Sequence, residues 1–189
     1  FYEALNIAGV MNLPLVVVIV NNQWAISAPR AIQSAAPTLA HKALAAGIPG
    51  EQVDGNDVVA VTDVCLRAIE RARAGGGATL IEAVTYRLGD HTTVDDARRY
   101  RPDEEVSEAW QKEPIARIRS FLVEQGVWQK ADEEALRSAS SAEIDGAAEE
   151  FMAIEPPTTE AMFDYVWEQM PPDFAHQRLQ AGLDWGGNA

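Results

Sequence analysis

Leu15-Val-Val-Val-Ile-Val20, followed at once by Asn21-Asn-Gln-Trp-Ala-Ile-Ser27, is the stretch on which the fold turns. Its apolar residues, mostly β-branched and preceded by Pro14, read as a strand covered on both faces, the pattern of a parallel sheet. The strand halts at two amides. Ligands of open parallel sheets sit in the crevice beyond the carboxyl ends of the strands, so Asn21 and Asn22 are expected on that rim. An Asn side chain offers a neutral oxygen and an irregular turn exposes backbone carbonyls, and both suit a hard cation such as Mg²⁺. Two asparagines also serve a plain strand-to-loop turn, and for the pair alone that is the first reading.

On the N-terminal side, residues 1–11 place Ala4, Leu5, Ala8 and Met11 near one stripe, with Gly9 open to a close neighbour. A helix packed on the strand is expected there. On the other side, residues 37–46 have apolar residues at helical spacing up to Gly47, and His41 inside them reads as a surface or packing residue. Gln52-Val53 suggests a short edge strand. Asp54-Gly-Asn-Asp57 combines a turn with the N-cap of a helix over 57–74. Gly75-Gly-Gly77 closes that helix and precedes a strand, the reverse of a phosphate-cradling loop. Thr79-Leu-Ile-Glu-Ala-Val-Thr85 is the second central strand. Two such strands joined by helical connections are expected to run parallel, with their carboxyl ends on the same side.

The polar segment after the second strand is therefore expected at the rim that Asn22 borders. Residues 86–102 hold one His, four Arg, three Asp, two Thr and two Tyr. A polar loop of that length within a folded domain is commonly functional. Arg87 and His91 can meet an anionic ligand, and the aspartates can pair with Arg98, Arg99 or Arg101 to fold the loop on itself. A solvated charged loop with ion pairs of little net energy is an equal reading.

Beyond residue 102 the pattern is helical, over 104–112, 114–126, 131–151 and 158–167, with breaks at Glu155-Pro-Pro157 and Met170-Pro-Pro172 and a frayed tail over 182–189. Phe163, Trp167 and Phe174 read as packing or subunit-contact residues, and His176 as a surface residue. The expected organisation is an α/β domain with a parallel sheet over 1–102 and a helical region over 103–189 packed on it.

Twenty-nine acidic against fifteen basic residues give a net charge of −14, which disfavours nucleic acid and anionic membrane as partners. No apolar run reaches the roughly 18 residues of a membrane helix. Cys65 is the single cysteine, so no internal disulfide can form, and a reducing, cytoplasmic setting is expected. Residue 1 falls within a helical pattern, without the marks of a signal peptide, so the sequence is expected to be part of a longer chain.

With these residues in view, the sequence resembles the α subunit of the E1 component of 2-oxo acid dehydrogenase complexes, a thiamin-diphosphate-dependent family. The resemblance runs along essentially the whole chain and rests on Val20-Asn-Asn-Gln-Trp-Ala-Ile-Ser27, Val53-Asp-Gly-Asn-Asp57, Leu80-Ile-Glu-Ala-Val-Thr-Tyr-Arg87, His91 with Asp95-Asp96, Arg99-Tyr-Arg101 and Gln125-Gly-Val-Trp128. It implies the C-terminal part of a thiamin-diphosphate-binding fold. The family's cofactor motif opens with Gly-Asp-Gly and closes with Asn-Asn, and only the closing half is present. By resemblance Asn22 gives a side-chain oxygen and Trp24 a backbone carbonyl to Mg²⁺, and Ile26 lies beside the cofactor. His91 matches the histidine of the active-site loop, near the cofactor and the path of the acyl acceptor. Arg87, Asp95, Tyr100 and Arg101 match residues that order this loop and dock the lipoyl domain of E2. Thr92 stands where eukaryotic relatives carry a regulatory phosphoserine.

The partners so implied are an E1 β subunit, in an α2β2 assembly, and the lipoyl domain of E2. The implied reaction is oxidative decarboxylation of a 2-oxo acid with acyl transfer to lipoamide, the bond breaking being the cofactor's. Pyruvate is the expected substrate and a branched-chain 2-oxo acid the alternative. A reading of another class is a non-catalytic interaction module that keeps the fold, motivated by the missing Gly-Asp-Gly half and the acidic helical tail.

Overall fold

The helix expected over residues 1–11 forms as α1 (Tyr2–Val10), and the apolar run after it as β1 (Val16–Asn21), in the computed structural model, which describes residues 1–185. A small antiparallel ribbon comes next, β2 (Trp24–Ala25) with β3 (Ala28–Pro29). Then come α2 (Lys42–Ala45), β4 (Gly50–Asp54), α3 (Val58–Arg73) and β5 (Thr79–Val84). Beyond the polar loop lie α4 (Asp103–Trp110), α5 (Pro114–Glu124), α6 (Lys130–Met152) and α7 (Pro172–Trp185).

The three longer strands form one parallel sheet in the order β1-β5-β4, with Val16 opposite Thr79 and Gly50 opposite Leu80. Side chains alternate across a strand, and β5 divides its apolar residues between two layers. Leu80 joins Leu5 and Ala8 of α1 and Ala43 of α2, while Ile81 joins Val64 and Ala68 of α3. Helices thus cover both faces, as expected of an α/β domain. One expectation is corrected. Among the described residues β5 is the strand buried on both faces, whereas β1 lies at the sheet edge with Val18 48% and Val20 66% exposed.

Asp57 caps α3 by accepting from the N–H groups of Val59 and Ala60, both at 3.0 Å. The helix expected over 37–46 shrinks to the single turn of α2, because Arg30 holds the carbonyls of Ala36 (2.6 Å) and Pro37 (3.1 Å) in a non-helical approach. At Gly9 of α1 the backbone meets the α2–β4 connection so closely that an added Cβ would lie 2.1 Å from the Ala46 carbonyl oxygen. Alanine is the better helix former by about 1 kcal/mol, but crowding a packed backbone costs about 1–3 kcal/mol. Gly9→Ala is therefore expected to lower the thermal unfolding midpoint, and a midpoint equal to or above the parent's would refute this account of the contact.

Two compact units make up the chain, Phe1–Gln129 and Lys130–Ala189. The division expected after residue 102 moves to 129 because α4 and α5 are tied to the sheet unit. Glu105 of α4 accepts from Trp24 Nε1 (3.3 Å) and the Tyr86 hydroxyl (2.8 Å), and Arg117 of α5 donates to Asp54 (2.6 Å) and Asp57 (2.8 Å).

In the second unit, α6 leaves Leu136 and Ile144 exposed. The helix expected over 158–167 is a 3-10 turn, Thr159–Phe163, after which the chain bends to bring Trp167 against Phe174 at 4.3 Å between ring centroids. Pro172 begins α7 rather than ending a helix, since its fixed φ suits a first helical residue. Of the tail expected over 182–189, α7 takes 182–185, and residues 186–189 lie outside the described residues.

Candidate functional site

The parallel register sets Asn21 opposite Val84, so β1 and β5 end together and release their next residues at one rim. Backbone bonds continue past the strands: Thr85 N–H donates to the Asn21 carbonyl (2.9 Å) and Arg87 N–H to that of Asn22 (3.2 Å). The turn after β1 is closed by its own side chains. Asn22 Oδ1 accepts from Trp24 N–H at 3.1 Å, a short-range Asn turn. A carbonyl oxygen has two lone pairs, so this bond leaves Asn22 with one for a ligand.

Gln23 and Ile26 adopt φ of +70° and +55°. For a β-branched residue that is a strained backbone, costing on the order of 1–3 kcal/mol and found where surroundings impose it. The surroundings here are Arg87, whose Nη2 donates to the Ile26 carbonyl at 2.8 Å. Ile26 itself is exposed.

Loop 86–102 is folded on itself, largely through single side chains. Arg87 Nη2 also donates to the Tyr100 hydroxyl (2.8 Å), which donates to Asp95 Oδ2 (2.5 Å), and that oxygen accepts from His91 N–H (2.9 Å). Hydrogen bonds from Tyr100 and from the His91 backbone hold the Asp95 carboxyl below its ordinary pKa, while desolvation and then Asp95 raise that of Tyr100. Asp90 accepts from Ala97 N–H at 3.0 Å, and Asp96 pairs with Arg98 at 2.8 Å. Arg101 is 6% exposed and donates to three carbonyls, those of Arg87, Leu88 (3.1 Å) and Gly89 (3.3 Å), with its guanidinium over the Tyr86 ring. Trp24 packs against Tyr100 with 5.6 Å between centroids, joining the β1 turn to the loop.

The structure thus brings Asn22, Trp24, Ile26, Arg87, Asp95, Tyr100 and Arg101 into one connected cluster. His91 belongs to it through its backbone, and Thr92 is exposed on the same loop. A cavity of about 300 Å³ opens beside the β1 turn, lined by Asn22 and Trp24 with Arg30, Ser34 and Lys42, while His91 and Ile26 are not among its lining residues. Two cations in so acidic a chain give this cavity local positive character. Arg30 also holds the carbonyls described above, and Lys42 the Tyr2 hydroxyl. Among the described residues, no three His, Cys, Asp or Glu side chains converge to hold a metal, and no helix is long and apolar enough to cross a membrane. His41 accompanies Thr38 and His176 is exposed, as expected of surface residues.

The family pattern described as "Dehydrogenase E1 component" matches residues 1–160. The chain belongs to that family. It is 56% identical over 133 residues to the 3-methyl-2-oxobutanoate dehydrogenase subunit alpha of Mycobacterium tuberculosis, covering 70% of this chain and 36% of that protein. It is 44% identical over 178 residues to the pyruvate dehydrogenase E1 component subunit alpha of Staphylococcus epidermidis, covering 94% of this chain and 48% of the relative, and the Staphylococcus aureus protein of the same name matches alike. This E1 chain therefore spans between about a third and a half of the length of these curated relatives.

Sequence reasoning missed two acids of this cluster: Glu82, fully buried in β5, and Glu105, which receives Trp24 and Tyr86; Asp90, one of the loop aspartates expected to fold the loop on itself, does so by receiving Ala97 N–H rather than an arginine. Glu82 carried a visible signal, a charge within a strand otherwise apolar enough to be central. Glu105 sits among many surface acids and carried none.

Proposed function

We propose that this chain is part of the α subunit of a 2-oxo acid dehydrogenase E1, carrying out oxidative decarboxylation with transfer of the acyl group to the lipoyl domain of E2. The observation that carries the reading is the junction at the rim of the sheet, where Arg87 donates to both the Asn22–Ile26 turn and the Tyr100 end of the loop. Such a junction supports reading the turn as a cofactor site and the loop as the acyl-acceptor side, within reach of each other.

The residues fit the cofactor pair in part. Asn22 Oδ1 and the Trp24 carbonyl are neutral oxygens of the kind Mg²⁺ takes beside phosphate and water, and two of them leave the octahedron open for a diphosphate. When bound, thiamin diphosphate supplies the electron sink for loss of carbon dioxide. The chain's own residues do the rest: Asn22 and Trp24 hold the cation, Ile26 supports the cofactor, and His91 holds or gives a proton near the acyl acceptor. Arg87, Asp95, Tyr100 and Arg101 keep the loop in shape for the lipoyl domain. Thr92, exposed on that loop, is the residue open to phosphorylation. An E1 β subunit completes the site in an α2β2 enzyme, in a cytoplasmic setting.

Pyruvate is the first substrate reading, supported by likeness to the staphylococcal proteins over nearly the whole chain. A branched-chain 2-oxo acid is the second, favoured by the higher identity to the mycobacterial subunit. Assembling the full-length chain with its β subunit and comparing decarboxylation of pyruvate and 3-methyl-2-oxobutanoate decides between them. No turnover of either, with the assembly intact, would favour the non-catalytic module. In the same assay His91→Ala is expected to lower acyl transfer to lipoyl domain by about 10²-fold or more, the range of a positioned acid or base, with the thermal midpoint unchanged. Undiminished transfer would remove His91 from the site.

A further inference from the structure

Glu82 lies in the centre of β5, on the face that Leu80 shares with α1 and α2, and is wholly buried. Its described partners are all N–H donors. Asn21 Nδ2 reaches Oε1 at 2.6 Å, while Ala40 N–H and Gln52 Nε2 reach Oε2 at 2.9 and 3.1 Å. A carboxylate is acceptor-only, so it dictates that the Asn21 amide turn its NH₂ toward β5. The Asn21 oxygen then faces the turn, where Oδ1 accepts from Gln23 N–H at 3.3 Å, and Gln23 Nε2 donates to the Asn21 carbonyl at 3.2 Å. Gln23 is the left-handed residue between Asn22 and Trp24, and these two bonds hold it there.

We infer that Glu82 is a positioning residue: a buried carboxylate that fixes the Asn21 amide and, through Gln23, the aim of the Asn22 side chain and the Trp24 carbonyl. The inference rests on the reading of that turn as a cofactor site. Packing alone does not account for the arrangement, because a glutamine of the same shape would fill the volume yet set one amide NH₂ against another.

The test uses the full-length chain assembled with its β subunit, with Mg²⁺-dependent thiamin diphosphate binding followed by calorimetry and stability by thermal unfolding. Glu82→Gln is expected to weaken binding about tenfold or more, as loss of a group that orients a ligand does. Combining it with Asn21→Asp reverses donor and acceptor in the same bond, and the double variant is expected to regain most of the lost affinity, a coupling that independent sites would not show. Gln52→Met removes another donor to Glu82 without touching Asn21, and should lower the midpoint while leaving affinity as it was. Parent-like binding by Glu82→Gln, a folded double variant no better than the singles, or an equal loss of affinity in Gln52→Met would each overturn the inference. Should Glu82→Gln fail to assemble, the double variant against Asn21→Asp alone decides in the same way. A parent assembly that binds no thiamin diphosphate would instead bring down the reading of the turn, and the inference with it.

Discussion

Asn22→Ala is expected to weaken Mg²⁺-dependent thiamin diphosphate binding by the assembled enzyme about 10- to 100-fold, the usual loss when a group at a metal site is removed. The same oxygen has a second task, accepting the Trp24 N–H at 3.1 Å. Its removal frees the Trp24 backbone as well, so both proposed cation ligands are disturbed by one substitution. Asn22 is only half-buried, and water can take the vacated N–H, so the effect on folding should stay near 1 kcal/mol. The variant should therefore unfold close to the parent's midpoint in the absence of cofactor and separate from it when cofactor is added, because only the parent gains the full stabilisation of a bound ligand. Titration calorimetry giving the parent's affinity would take Asn22 out of the site.

The second large effect is expected at Arg101. Its buried guanidinium gathers three successive carbonyls, those of Arg87, Leu88 and Gly89, and stacks on Tyr86. Hydrogen bonds to a charged donor contribute about 1.5–3 kcal/mol each, and within 86–102 only Ala97 and Arg101 itself are buried, so little apolar burial is left to hold the loop without them. Arg101→Met keeps much of the apolar stem and removes the donors. Amide exchange over residues 86–101 is expected to accelerate by about tenfold or more while β5 keeps its protection, and acyl transfer to the lipoyl domain should fall with it. A loop that exchanges at the parent's rate would mean the Arg87–Tyr100–Asp95 chain suffices to order it.

These two residues mark how far the sequence could be read. The strands and the long helices declared themselves through periodicity and punctuation, because β-branched runs, the Asp57 cap and the glycines after α3 act locally. Both apolar runs read as central strands, and that holds for β5, which has neighbours on both sides, but not for the more apolar Leu15–Val20, which pairs with β5 alone among the described residues. Met170-Pro-Pro172 reads as a stop, although proline serves equally as a first helical residue, the place Pro172 takes in α7. At the site, Asn22, Trp24 and the loop were legible as residue types in order. Their partners were not, because Glu82 meets Asn21 across 61 positions and Glu105 meets Trp24 across 81, distances at which no local pattern carries information.

The position of β1 has a practical side. Its outer margin carries main-chain N–H and C=O groups beside the exposed Val18 and Val20, with β5 as its single sheet neighbour among the described residues. A long apolar margin of this sort recruits strands from other molecules, and no lysine, proline or bulge within β1 blunts it. Concentrated on its own, this stretch of polypeptide is prone to cross-molecule pairing and precipitation, so handling it dilute, or with whatever strand completes the sheet, is a consequence of the architecture alone.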